Sequence, residues 1–236
     1  MPNTNITEHR RTAAGLANRL RSTNLPSSLG AAAKAFLAAQ KSFEAAATST
    51  DTAQETRDAS LALVAKSDAL LDASVDTLVN LLPGAGLGTR LQPLKGYSSK
   101  TPSELKNMPY ADEPDEVDRV VKKILAKKPS PDVVKACKAS SACAADVRKK
   151  LAAYPSAQAA YTKALSARDG LLPALQKATD SLKRHAAVAW ENDAATLKSV
   201  FAAPTKVEAP VKKRAKKKVT PKPTAPTAPT TPAATP

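Results

Sequence analysis

Residues 36–82 read FLAAQKSFEAAATSTDTAQETRDASLALVAKSDALLDASVDTLVNLL, and this stretch decides the fold. Large or long side chains recur every seven positions, at Phe36, Phe43, Val64, Leu71 and Leu78, with Thr50 and Arg57 filling the register between. Three residues after each comes Ala39, Ala46, Ala53, Ser60, Ser67, Ser74 and finally Leu81. A 3-4 repeat places both lines on one face of a helix, the seam of a coiled coil, and small residues in one line let two helices approach closely. These residues, Thr50 and Arg57 excepted, are the predicted helix-pairing seam.

Upstream, Ser27 or Ser28 is placed to cap this helix, and Asn24-Leu25-Pro26 separates it from a short helix over residues 7–21. Downstream, Pro83-Gly84 stops it. The seam is weakest at Thr48-Ser49-Thr50-Asp51-Thr52, where Thr52 with Glu55 could form a capping box and start a second helix. The heptad register carries across this point, which favours one long helix, straight or bent, over a pair. Such a helix spans about 82 Å at 1.5 Å per residue.

Composition agrees. Hydrophobic residues make up 42% of the 236, much of that alanine, and only 3% are aromatic. An alanine-rich core buries little area per residue, so it must be long or closely packed to offset chain entropy. Alanine is also the best helix former. No alternating run of β-branched or aromatic residues reads as a strand. The expected fold is all-α, an elongated antiparallel helical bundle or coiled coil with a disordered basic C-terminal tail.

The rest of the chain divides accordingly. Residues 1–25 are an N-terminal segment and 26–82 the long helical region. Residues 83–114 form a Gly/Pro-rich loop, within which Thr101-Pro102-Ser103-Glu104 predicts one short helix with a capping box. Residues 115–203 hold the remaining bundle helices. The first covers about 115–127, with Asp115, Glu116 and Asp118 in its first turn and Lys122, Lys123, Lys127 and Lys128 towards its end, which complements the helix dipole. The next starts at Ser130-Pro131-Asp132 and ends near Ala153. Tyr154-Pro155 should separate it from a last helix running to about Phe201, kinked or briefly broken at Gly170 and Pro173.

Few residues here could carry chemistry. Of two histidines, His9 lies among arginines and His185 follows Lys183-Arg184; neither has Ser and Asp at a recognisable motif spacing. No Glu-x-x-His, His-Glu-x-x-His or paired Cys-x-x-Cys occurs. The acidic run 112–118 lacks the central glycine and closing glutamate of a calcium loop and reads as a helix start. Gly84-Ala85-Gly86-Leu87-Gly88 lacks the Gly-Lys-Ser/Thr of a phosphate loop and reads as a helix stop. Cys137 and Cys143, six apart on a predicted helix, sit about 9 Å apart along the axis, too far to bridge. The reading is therefore non-enzymatic, with no catalytic residue, metal site or cofactor. No apolar run reaches the length of a signal peptide or membrane span.

Charge is the strong feature. The net +15 is uneven: residues 1–82 balance at zero, 83–155 carry +6, 156–205 carry +2, and 206–236 carry +7. Lys212, Lys213, Arg214, Lys216, Lys217 and Lys218 place six cations in seven residues, followed by Lys222 in a stretch otherwise nearly all Pro, Thr and Ala. With prolines and no apolar face, residues 204–236 cannot order themselves. Against a phosphate backbone their charges release condensed counterions, the main source of sequence-independent affinity. No aromatic residue is interleaved, so base stacking is not implied.

This tail resembles the Lys/Pro/Ala tails of linker histones and similar bacterial nucleoid proteins; the likeness covers the tail alone. It implies a cytoplasmic, nucleoid-associated protein, or a nuclear one in a eukaryotic source, where Lys-Lys-Arg-Ala-Lys also resembles a localisation signal. Two functions are expected from these readings. In the first, the tail binds nucleic acid or another polyanion without sequence preference. In the second, the chain is a structural or assembly protein whose seam pairs helices within the chain or between chains, with a second copy or a protein partner, the tail serving as tether or solubilising segment.

Overall fold

The computed structural model describes residues 3–202; the tail cations from Lys212 to Lys222 lie outside them. The described residues form an all-α unit of six helices and one 3-10 turn, without a strand. Helix α1 is Asn3–Ser22, and the 3-10 turn Ser27–Leu29 leads into α2, Gly30–Leu81. A long connection holds the short α3, Pro102–Lys106, and is followed by α4, Glu113–Leu125, and α5, Pro131–Ala189. Helix α6, Ala194–Val200, closes the unit.

Helices α2 and α5, of 52 and 59 residues, pack along one another. The pairing is antiparallel: Thr50 Oγ1 shares its hydrogen between Ala46 O (2.8 Å) and Ala164 O (3.1 Å), and Ser67 Oγ donates to Asp146 (2.6 Å). Helix α2 does not restart at Thr52, whose hydroxyl donates back to Thr48 O instead.

The pair is wedged open into a core at each end. At one end α1 contributes Ala13, Leu16, Ala17 and Leu20, which pack with Phe36 and Phe43 of α2 and Leu175, Leu182 and Ala186 of α5, closed by Trp190 and Val200. At the other, α4 supplies Val117, Val120, Val121 and Ile124 against Leu71 and Leu78 of α2, Leu82 just after it, and Val133, Cys137 and Val147 of α5. Leu94, Tyr97 and Leu105 from the 82–112 connection cover this second core. Between them, no residue over 51–63 of α2 or 148–167 of α5 is fully buried. Among the described residues α2 and α5 pair with each other there, and α1 meets the span at its edge, where Arg10 bonds Asp51.

Several sequence expectations change. Tyr154-Pro155 does not end a helix, and α5 also runs through Gly170 and Pro173. Both prolines are exposed, so their rings meet solvent and the carbonyls they orphan can be hydrated. At Pro155 the helix on each side is also held in a different core, which fixes its direction across the missing hydrogen bond, and at Pro173 the residues on both sides pack in one core. Tyr154 Oη donates to Gln158, bridging the Pro155 turn (3.3 Å). The actual break falls at Trp190–Asp193, where the Asp193 carboxylate accepts from Thr196 N (3.0 Å) and starts α6. Ser27 and Ser28 make no side-chain cap; Pro26 stands at the entry of the 3-10 turn. The predicted capping box at Thr101 and Glu104 is present, with α3 starting at Pro102.

The long connection is held by turns that glycine makes possible. A Cβ on Gly88 would lie 2.5 Å from Pro93 O, so only glycine lets these two backbone segments meet.

Candidate functional site

The seven tail cations proposed as phosphate contacts, Lys212, Lys213, Arg214, Lys216, Lys217, Lys218 and Lys222, lie outside the described residues. The seam can be followed in full. Its seven-residue line faces inward: Phe36, Phe43, Thr50, Val64, Leu71 and Leu78 are buried, and Arg57 is half-buried with its guanidinium 4.3 Å from the centre of the Tyr161 ring.

The companion line departs from expectation. Ser67 is buried and Ala39, Ala46, Ala53, Ser60 and Ser74 are half-buried, but Leu81 is 36% exposed while Leu82 is fully buried. Gln40, Ala47 and Val75, each one place further on, are also buried. A straight helix drifts about 20° per heptad against a strict 3.5 repeat. Where α1 or α4 adds a third helix, the buried arc widens and takes in the next residue. In the two-helix middle it stays narrow and falls on Ala53 and Ser60. The seam thus joins α2 to α5 of the same chain.

One cluster was not foreseen. Asp68 and Asp72, one turn apart on α2, face Glu113 at the start of α4, whose side chain is completely buried. The sequence placed Glu113 in an acidic run read as a helix start, just ahead of a helix expected from about residue 115. Instead α4 begins there, with Pro114 in its first turn, and Glu113 and Glu116 turn inward while Asp115 stays exposed. Glu116 accepts from Ser98 Oγ (2.7 Å) and pairs with Arg119. Glu113 has no such donor. Both its oxygens, with Oδ1 of Asp68 and of Asp72, are buried without a hydrogen-bond partner if all three groups are ionised.

A proton on Glu113 relieves part of this, because its O–H can then donate to Asp68. Burial, that hydrogen bond and the charges of Asp68 and Asp72 together push the Glu113 carboxyl up to about 8. Burial and the Asp68 charge also raise Asp72, opposed by Lys106, which is hydrogen-bonded to Asp76 (2.9 Å). Glu113 is enclosed in the fold, while Asp68 and Asp72 are half-buried. The trio acts on stability, by pinning the start of α4 to α2.

Other polar groups have structural partners. His185 Nδ1 donates to Ser181 O (2.8 Å) within its own helix. Cys137 is buried, which raises its thiol, and Cys143 is half-buried; both are free. Arg10 of α1 spans Glu44 and Asp51 of α2, each at 2.7 Å. An open groove of about 490 Å³ between α1 and α5 is bordered by Glu8, His9, Asp180 and Lys183. Among the described residues, no three of His, Cys, Asp and Glu are placed to hold a metal ion, and no helix is long and apolar enough to cross a membrane. Comparison with known proteins finds no family model, curated protein or solved structure that matches the chain.

Proposed function

We propose that this protein binds a polyanion, foremost nucleic acid, without sequence preference, and that the helical unit serves as the body on which the basic tail is carried. The observation behind the reading is the density of charge from Lys212 to Lys218, six cations in seven residues, with Lys222 beyond. No aromatic or hydrogen-bonding pattern for reading bases accompanies them, so the affinity is electrostatic. Seven phosphates neutralised on duplex DNA give a log–log salt slope of about −6.

The test compares the whole chain with a variant whose seven tail cations are glutamine, titrating labelled duplex DNA across a range of salt. The slope should become shallower by about 6 in the variant. Equal affinity and equal slope in the two proteins would remove the tail from the function.

A second reading, assembly with another copy or a protein partner, draws on one observation. Leu63, Leu70 and Leu81 fall on one face of α2 and are 50%, 55% and 36% exposed. Helical spacing aligns them within about 20°. Sedimentation of the full chain across concentration tests it: a second copy gives a mass that rises with concentration and falls on Leu70→Glu, and a monomer throughout excludes self-assembly.

A further inference from the structure

The folded unit has a charge concentration of its own at the end where α4 turns into α5. Lys122 is on α4, Lys127 and Lys128 form the turn, and Lys135 and Lys138 lie on the first turns of α5; all five are exposed. Between the first and last of them the chain carries one acid, Asp132. The antiparallel register of the two helices brings the charges together. Arg148 of α5 bonds Asp115 and Asp118 of α4, and Ser141 bonds Asp118, so one turn further along Lys122 comes beside Lys138. The stripe that starts as alternating charge thus ends as cation beside cation.

Asp112 and Asp132 apart, the acids nearby are committed elsewhere. Asp115 and Asp118 are paired with Arg148, Glu116 with Ser98 and Arg119, Glu104 with the Thr101 cap, and Glu113 is buried. Among the described residues, none of the five lysines makes an ion pair.

Lys128 adds an independent sign. Its φ is +53°, and it is the single non-glycine residue at positive φ among those described. Glycine or asparagine occupies such a position after a helix at less steric expense. A strained lysine at the crest of a cationic turn is the kind of local departure that points to a use for the side chain.

We infer that this α4–α5 end is a second contact for the phosphate backbone of duplex nucleic acid, gripping it with Lys122, Lys127, Lys128, Lys135 and Lys138 separately from the tail. The inference rests on the nucleic-acid reading above and adds a site within the folded unit. A duplex suits the surface better than a bilayer. Leu125 is the one large apolar side chain exposed among these lysines, at 38%, too little to anchor a helix end in a lipid interface.

The test uses the full chain in five forms: unaltered, tail cations changed to glutamine, the five lysines changed to glutamine, both sets changed, and the five lysines changed to arginine. Each is titrated against labelled duplex DNA over a salt series and against vesicles of phosphatidylglycerol and phosphatidylcholine. Five neutralised phosphates contribute about −4.5 to the salt slope, so the five-glutamine form should lose that much, the arginine form none, and the double form all binding. Lys128→Gly separates binding from folding: it should bind DNA more weakly while melting no lower than the unaltered chain.

An unchanged slope in the five-glutamine form, with a loss in the tail form, would overturn this inference and leave the tail reading standing. No DNA binding by the unaltered chain would overturn both. Lysine-dependent vesicle binding without DNA binding would show the surface to be a membrane contact and overturn the assignment to nucleic acid.

Discussion

Replacing Glu113 by glutamine should alter the pH dependence of stability while leaving the fold intact. Glu113 keeps its proton in the folded chain up to about pH 8, against an ordinary value of 4.5. Between those values the folded chain binds a proton that the unfolded chain has released, so stability falls as pH rises. The contribution is fully present below about 4.5 and is lost by the time pH passes about 8. The slope is at most 1.36 kcal/mol per pH unit, so from about pH 5.5 to 7.5 the unaltered protein should lose roughly 2–3 kcal/mol through this group. For a unit of this size that corresponds to a fall in Tm of roughly 5–10 °C.

In Glu113→Gln the amide has the same shape, donates an N–H to Asp68 or Asp72, and does not titrate. Its stability should lack this slope, and above pH 8 it should at least equal that of the unaltered chain. Urea unfolding of both proteins followed by helical circular dichroism, at several pH values across the window, measures the difference. Parallel profiles would refute the reasoning, since they would mean Glu113 is already ionised in the fold or its partners do not hold the proton.

Other outcomes follow from packing and charge. Leu82→Ala should destabilise by roughly 2–5 kcal/mol because it empties a fully buried site, whereas Leu81→Ala should cost well under 1 kcal/mol; similar melting shifts for the two would contradict the observed register. Asp193→Ala removes the cap of α6 and should cost about 1 kcal/mol, with faster hydrogen exchange confined to residues 194–202. For binding, neutralising the tail and neutralising the α4–α5 lysines should flatten the salt slope by about 6 and about 4.5 respectively, read from DNA titrations.

Much of this architecture was legible in residues 36–82, because heptad spacing and alanine content are local signals that need no partner to be read. Phe36, Phe43, Val64, Leu71 and Leu78 face inward as their spacing required, and the Thr101–Glu104 pattern produced its capping box through contacts within four residues. The charge at Lys212–Lys218 is likewise a property of composition, evident without any coordinates.

What could not be read locally depends on which helix lies alongside. Leu82 replaces Leu81 in the core because α4 packs there as a third helix and widens the buried arc. Pro155 and Pro173 are tolerated because they face solvent on a helix anchored in a core at each end. Glu113 looks like any first-turn acid until α4 docks against Asp68 and Asp72 and water is excluded from its carboxyl. Periodicity and composition belong to the chain itself, whereas desolvation and helix neighbours are set by contacts between residues far apart in sequence.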